Sequence, residues 1–416
     1  MREMKDSGIS WVGEIPKEWK IMPLYCFYSE RKNKNIFGAE NNLLSLSYGK
    51  VIRKDINTSE GLQPSNYNGY NIVEAGDIII RPTDLQNDKR SLRTGLSKER
   101  GIITSAYIAL KPKNGINSRF YHYLLHTYDI LKVFYNMGNG VRQGLNYDEF
   151  AKLMVYSPSD TEQQRIAEFL DRECGKIDGL KADIQVQIDT LEQYKRSIIT
   201  EAVTHGLNPS APMKDSGIPW VGQFPTHWTK KKGKYILRYM SKPVKQDDGV
   251  ITCFRDGEVT LRSNRREDGF TMADKEIGYQ GVDVGDLVVH GMDGFAGAIG
   301  ISDSRGKASP VLNVLNTKQN KKYIMYYLRS MAYGEVFTAL STGIRVRSCD
   351  LRWNKLAELL YPLPPIDEQN NIVNYIDEQI ARTNEIIADK KSQIETLDGY
   401  KKSLIYEYVT GKKEVV

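Results

Sequence analysis

Side chains that could converge on a reacting atom are scarce in these 416 residues. His122 and His126 stand four apart, a spacing that sets two imidazoles on one helix face, yet no acidic third ligand accompanies them. Packing is the ordinary role of such a pair. No G-x-x-x-x-G-K-[ST] phosphate loop occurs, no G-x-G-x-x-G follows a strand, and H-E-x-x-H is missing. An amino-methyltransferase would grip its target amine with Asn/Asp-Pro-Pro-Tyr/Phe. The nearest strings are Asn208-Pro209-Ser210 and Tyr361-Pro362-Leu363-Pro364-Pro365, and neither qualifies. A Mg²⁺ nuclease of the common type would show Pro-Asp before Glu-x-Lys, and the chain has no Pro-Asp pair. The run Gly291-Met-Asp293-Gly294-Phe-Ala-Gly297-Ala-Ile-Gly300 reads as a turn between strands rather than a nucleotide cradle.

The chemistry that remains is recognition. One half of the chain offers Arg81, Lys89, Arg90 and Arg93, then Gly140-Val141-Arg142-Gln143; the other offers Arg255, Arg262, Arg265 and Arg266, then Gly343-Ile344-Arg345-Val346-Arg347. Arg and Gln can make paired hydrogen bonds to guanine and adenine edges, while Lys and Arg elsewhere hold phosphates. The recurrence of Gly-[Val/Ile]-Arg at 140–142 and 343–345 singles out Arg142 and Arg345 as candidate DNA contacts.

That recurrence belongs to a longer one. Met4 to Trp19 (MKDSGISWVGEIPKEW) returns as Met213 to Trp228 (MKDSGIPWVGQFPTHW), identical at eleven of sixteen positions and 209 residues apart. Gly76-Asp77-Ile78-Ile79-Ile80 returns as Gly285-Asp286-Leu287-Val288-Val289 at the same offset, and Leu191 to Ser197 returns as Leu397 to Ser403. A repeat this long concerns architecture. Charge follows it: residues 1–157 and 207–364 carry net +6 and +7, whereas 158–206 and 365–416 carry −4 and −3. Basic heads suit a polyanion, and the acidic segments suit something else.

Both acidic segments read as long helices. Ser159 or Asp160 can cap the first, with Glu162 and Gln163 positioned for a capping box. Ile177, Ile184, Leu191 and Ile198 then fall seven apart, with Leu180 and Tyr194 between them. The second helix starts near Asp367 and runs through Ile376, Ile380, Ile387, Ile394, Leu397, Tyr400 and Leu404. Forty such residues make a rod of roughly 60 Å, too one-sidedly apolar to stand alone. Antiparallel pairing of the two rods is the economical solution. In the heads, Ile72-Val73, Ile78 to Ile80 and Ile102 to Leu110 read as strands, and Phe120 to Val133 and Tyr323 to Tyr333 as helices. The expected fold is α+β: head 1–157, helix 158–206, head 207–364, helix 365–416, as a pseudo-twofold internal repeat.

Composition, at 40% hydrophobic and 26% charged, is that of a globular chain without a bilayer-spanning run or a secretory leader, which predicts a cytoplasmic address. Cys26, Cys174, Cys253 and Cys349 are too scattered for a zinc ribbon and are expected to be reduced.

On the Trp11-to-Trp19 opener with its repeat, the Glu162-Gln163-Gln164-Arg-Ile166-Ala to Ser197 segment with its repeat, and the Gly76-Asp77 and Gly285-Asp286 strands, the chain resembles a specificity subunit of a type I restriction-modification system. The resemblance implies two target recognition domains, each reading half of a split double-stranded DNA sequence across a coiled-coil spacer. It further implies docking of two modification subunits and of restriction subunits. S-adenosylmethionine, ATP and Mg²⁺ would reside in those partners, and this chain would hold no cofactor and no catalytic residue. The rival from another class is a two-headed coiled-coil adaptor for protein or glycan.

Overall fold

The computed structural model describes residues 2–57, 66–83, 92–135, 137, 144–265, 276–340 and 351–415. Two compact units divide the chain, residues 1–184 with 392–416 and residues 185–391. Both divisions fall inside long helices, Asp160–His205 and Ile366–Val409, so each unit holds one head and a stretch of both helices.

In the first unit a four-stranded antiparallel sheet runs in the order Tyr28–Glu30, Ile108–Pro112, Ile78–Ile80, Thr94–Leu96. Three consecutive isoleucines can form its middle because strand side chains alternate between faces and both faces are covered. Ile78 and Ile80 join Phe120, Tyr121 and Leu124 on one side, and Ile79 joins Leu44, Leu46 and Val73 on the other. The covering helix is Ser118–Ile130, whose first amides donate to the Asn117 side chain. The stretch from Ile102 to Leu110 is two strands, Gly101–Ile103 and Ile108–Pro112, because a turn closed by Tyr107 N donating to Thr104 O interrupts it.

The second unit repeats this plan. Its sheet runs Leu237–Tyr239, Leu312–Thr317, Leu287–His290, Ile299–Ile301, and Leu287 and Val289 face one core while Val288 faces another. Its covering helix, Lys321–Tyr333, is capped by Asn320 in the same way.

The long helices run antiparallel within each unit. In the first, Lys401 Nζ meets Asp178 at 2.7 Å, Lys181 pairs with Asp398, and the Phe169 and Tyr408 rings lie 4.3 Å apart. In the second, Lys195 donates to Asn384 at 2.8 Å and Lys390 to Gln187 at 2.5 Å. Ser159 is the cap, its hydroxyl accepting from Glu162 N at 3.3 Å. The seam departs from expectation in one row. Ile177, Ile184, Leu191 and Ile198 are buried or half-buried, but Leu180 and Tyr194 are 53% and 51% exposed. The companion row is Lys181, Ile188 and Lys195, one residue further on. Lysine serves there because its stem lies along apolar surface while its amine reaches a polar group on the facing helix. On the second helix Ile380, Ile387, Ile394, Leu397 and Leu404 are buried or half-buried, and Tyr400 is 58% exposed. Among the described residues, no helix is long and apolar enough to cross a membrane.

Candidate nucleic-acid interface

The duplicated opener is a seat for the long helices. Each copy folds as a hairpin, Met4–Asp6 with Glu14–Pro16 and Met213–Asp215 with Gln223–Pro225, in the same register. Each ends on a buried indole. Trp19 Nε1 donates to Glu162 and Trp228 Nε1 to Glu368, both at 3.0 Å, at the first turns of the two long helices. Arg2 completes the first contact, also bonding Glu162, and His227 completes the second at 2.7 Å from Glu368. The neighbouring glutamines match as well: Gln163 donates to Pro158 O and Gln369 to Pro364 O. About two turns further, Tyr123 donates to Asp171 at 2.8 Å and Tyr326 to Asp377 at 2.5 Å. The two helix ends that meet these seats close on Gly411 and Gly206. A side chain at 411 would strike Pro16 and Trp19, and φ at both positions is positive, +69° and +78°.

Three of the arginines read from sequence come together in the second unit. A concave cavity of about 780 Å³ is lined by Arg255, Arg262 and Arg265 with Phe254, His290 and Asp293. The hairpin Ile251–Cys253/Val259–Leu261 carries Arg255 in its turn, and a short 3₁₀ helix, Arg262–Asn264, carries Arg262. The Gly-spaced run is indeed a turn between Leu287–His290 and Ile299–Ile301, and its glycines let the hairpin tip lie close: a Cβ at Gly300 would overlap Gly257 O. Every one of the three guanidinium groups already has a contact. Arg255 lies 2.9 Å from Asp293, Arg265 sits 2.6 Å from Asp256 and 4.2 Å over the Phe254 ring, and Arg262 Nε approaches Thr252 Oγ1 at 3.4 Å. Exposed pairs of this kind are worth little and can exchange a carboxylate for a phosphate. Burial lowers the His290 imidazole below its ordinary value, and its Nδ1 accepts from the amides of Met292 and Asp293.

The first unit gathers fewer of its predicted residues. Arg81 is exposed beside the sheet. Arg93 is 6% exposed, with its guanidinium on Thr83 O and its amide donating to Asp129 at 2.6 Å, so it holds the fold rather than a surface. Lys89, Arg90, Arg142, Gln143, Arg266, Arg345 and Arg347 lie outside the described residues, and with them both Gly-[Val/Ile]-Arg strings. Sequence reasoning passed over Tyr48 and Phe37. Tyr48 occupies the turn of the hairpin Leu44–Ser47/Lys50–Arg53 and is 70% exposed. The alternating Ser-Leu-Ser-Tyr-Gly-Lys-Val-Ile string is a hairpin signal that would have located it.

The His122 and His126 rings stack with centroids 6.1 Å apart. Burial holds both imidazoles neutral, at about 4 and about 3, with Thr94 Oγ1 3.3 Å from His126 Nδ1. No cluster of His, Cys, Asp and Glu fit for a metal occurs among the described residues. Cys26, Cys174 and Cys253 are free thiols.

Fold and seat together define a class: a duplicated α+β protein with basic heads on paired long helices. Residues 48–190 match the type I restriction modification DNA specificity domain, and the resemblance to specificity subunits extends over the whole chain. The chain is 22% identical to the protein assigned as the MjaX type I restriction enzyme specificity subunit of Methanocaldococcus jannaschii, over 97% of this chain and 96% of that one. It also superposes, at TM-score 0.66 and 11% identity, on a chain from a structure describing complex assembly and conformational transition of a type I R-M system, covering 96% and 99%. The HsdS subunit from Thermoanaerobacter tengcongensis aligns at TM-score 0.47 and 12% identity, covering 96% and 98%.

Proposed function

We propose that this chain is the non-catalytic DNA-reading subunit of a type I restriction-modification complex. Each head reads one half of a bipartite duplex target, and the paired helices hold the halves at a fixed spacing. The observation that carries this reading is the double seat, Trp19 on Glu162 and Trp228 on Glu368, by which one sequence tag fixes each of two different heads to the start of the long helix that follows it. Arg255, Arg262 and Arg265 in the second head, and Arg81 in the first, are the described candidates for DNA contact; Lys89, Arg90, Arg142, Gln143, Arg266, Arg345 and Arg347 extend that set. Two modification subunits, which supply S-adenosylmethionine and the adenine-methylating site, dock on what the halves share, including the outward Tyr194 and Tyr400. Restriction subunits add ATP- and Mg²⁺-dependent cleavage. Tethering lets each half-site be read by a head that binds weakly alone.

The reading is tested by retention of the complex with modification subunits on duplex DNA as salt is raised. Release of counterions by several Lys and Arg contacts gives steep, salt-dependent loss of binding. Retention on a glycan or protein matrix with no affinity for DNA would establish the adaptor instead.

A further inference from the structure

Phe37 has the highest exposure of any large apolar side chain among the described residues, 96%, and Ile36 beside it is 59% exposed. Its backbone is left-handed, at φ +54°, a conformation disfavoured for a side chain of this size. The loop that carries it is fastened rather than loose. Asn35, 1% exposed, donates from Nδ2 to Glu40 O and accepts at Oδ1 from Glu40 N, both at 3.0 Å. Its amide donates to Tyr70 O at 2.8 Å, and Lys34 Nζ donates to Gly69 O at 3.0 Å. Both ends of the loop are thus pinned to the head, and an aromatic ring is held out in water at its tip, forgoing the gain of burial. Backbone strain at an exposed ring points from the outlier to a use.

We propose that Phe37 is a wedge that the first head inserts between two base pairs of its half-site, unstacking one step of the duplex. The inference rests on the DNA-reading function proposed above. An apolar side chain on a rigid tip is what such insertion requires. Lys34, at the root of the tip, and the exposed Lys32, which pairs with Glu30, supply cations near it that suit the phosphates flanking an opened step, whereas Arg31 is held inward by Asp77. Repetition decides between DNA and a protein partner. A subunit that docks equivalently on both halves would use what the halves share, as the tag and the helix seats are shared. The loop is not shared. Its bounds are marked by Asn33 O and Asn42 O, which accept from Ile72 N and Ile102 N, and in the second head by Lys242 O and Gly249 O, which accept from Gly281 N and Lys307 N. The second loop is two residues shorter and has Val244 but no aromatic residue. A device present in one head serves the half-site that head alone reads.

The test uses the complex with its modification subunits and the target found by mapping methylated adenines. Duplexes carrying 2-aminopurine at successive positions are bound by the native complex and by Phe37→Ala and Phe37→Leu. The expected result is a several-fold rise in fluorescence at one step of the half read by the first head, lost in Phe37→Ala and partly kept in Phe37→Leu. Affinity falls about tenfold in Phe37→Ala, the scale of one base–aromatic stack, with the melting temperature unchanged. Bound DNA with no responsive step, or a rise that survives Phe37→Ala, overturns the wedge and leaves the DNA-reading function standing. Loss of modification subunits from Phe37→Ala, with unstacking absent in the native complex, assigns the ring to a protein contact and likewise overturns it. Failure of the native complex to retain any duplex overturns both.

Discussion

The Trp19 indole reaches Glu162 across 143 residues of sequence, and Trp228 reaches Glu368 across 140, at the same 3.0 Å. This pairing explains why the copied tag ends in tryptophan: only a long, flat side chain with one donor fills the space under the helix and satisfies a carboxylate at its first turn. Negative charge there is further favoured by the helix dipole. Trp228→Phe keeps most of the packing and removes the donor. It is expected to lower stability by about 1.5–3 kcal/mol, the cost of a lost hydrogen bond to a charged group. Trp228→Ala is expected to cost about 3–5 kcal/mol. Chemical denaturation of the two variants checks the difference.

Ile188 and Tyr194 separate the inside of the helical pair from its outside. Ile188 is 5% exposed and Tyr194 51%. Ile188→Ala is expected to destabilise by about 2–4 kcal/mol, and Tyr194→Ala by less than about 0.5 kcal/mol. If Tyr194→Ala, but not Ile188→Ala, leaves a folded chain that no longer co-purifies with modification subunits, the outward face is their dock.

Acid weakens the first unit through His122 and His126. Both are neutral when folded, held below the ordinary 6.5 by burial, and bind protons more readily when unfolded. Their contribution is therefore fully present above pH 6.5 and is lost as pH falls towards 4. Roughly 2–3 kcal/mol per histidine should disappear over that window, seen as a falling urea midpoint. In His122→Gln/His126→Gln the midpoint should change less across the same range.

The cavity arginines divide by what they can reach. Arg265, stacked on Phe254, and Arg255, paired with Asp293, are expected to weaken DNA binding when changed to alanine and to reduce the slope of log affinity against log salt by about one each if they hold phosphates. Titration of each variant complex at several salt concentrations measures this. An arginine that reads a base edge would instead relax the sequence preference at one position.

Much of this architecture is legible in the sequence because it is written twice. The tag, the Gly-Asp strands and the heptad rows each gain weight from a second copy, and helix Ser118–Ile130 and its counterpart Lys321–Tyr333 follow from periodicity. What was not legible depends on atoms rather than patterns. The lysines at 181 and 195 look like surface residues until a polar partner on the facing helix is placed opposite them. Arg93 reads as a surface cation, but the Thr83 carbonyl takes its guanidinium inside. Phe37, one aromatic among Lys and Asn, has no periodicity to announce it, and its exposure follows from the clamp that Asn35 makes with Glu40.

The measurement that bears most directly on the two-headed reading is a genome-wide map of methylated adenines, made in cells carrying the partner subunits with either the native chain or one whose residues 21–157 are replaced by another first head. The expected result is a bipartite target of which one half changes and the other half and the gap are retained. A map in which both halves change, or in which no split target exists, would contradict it.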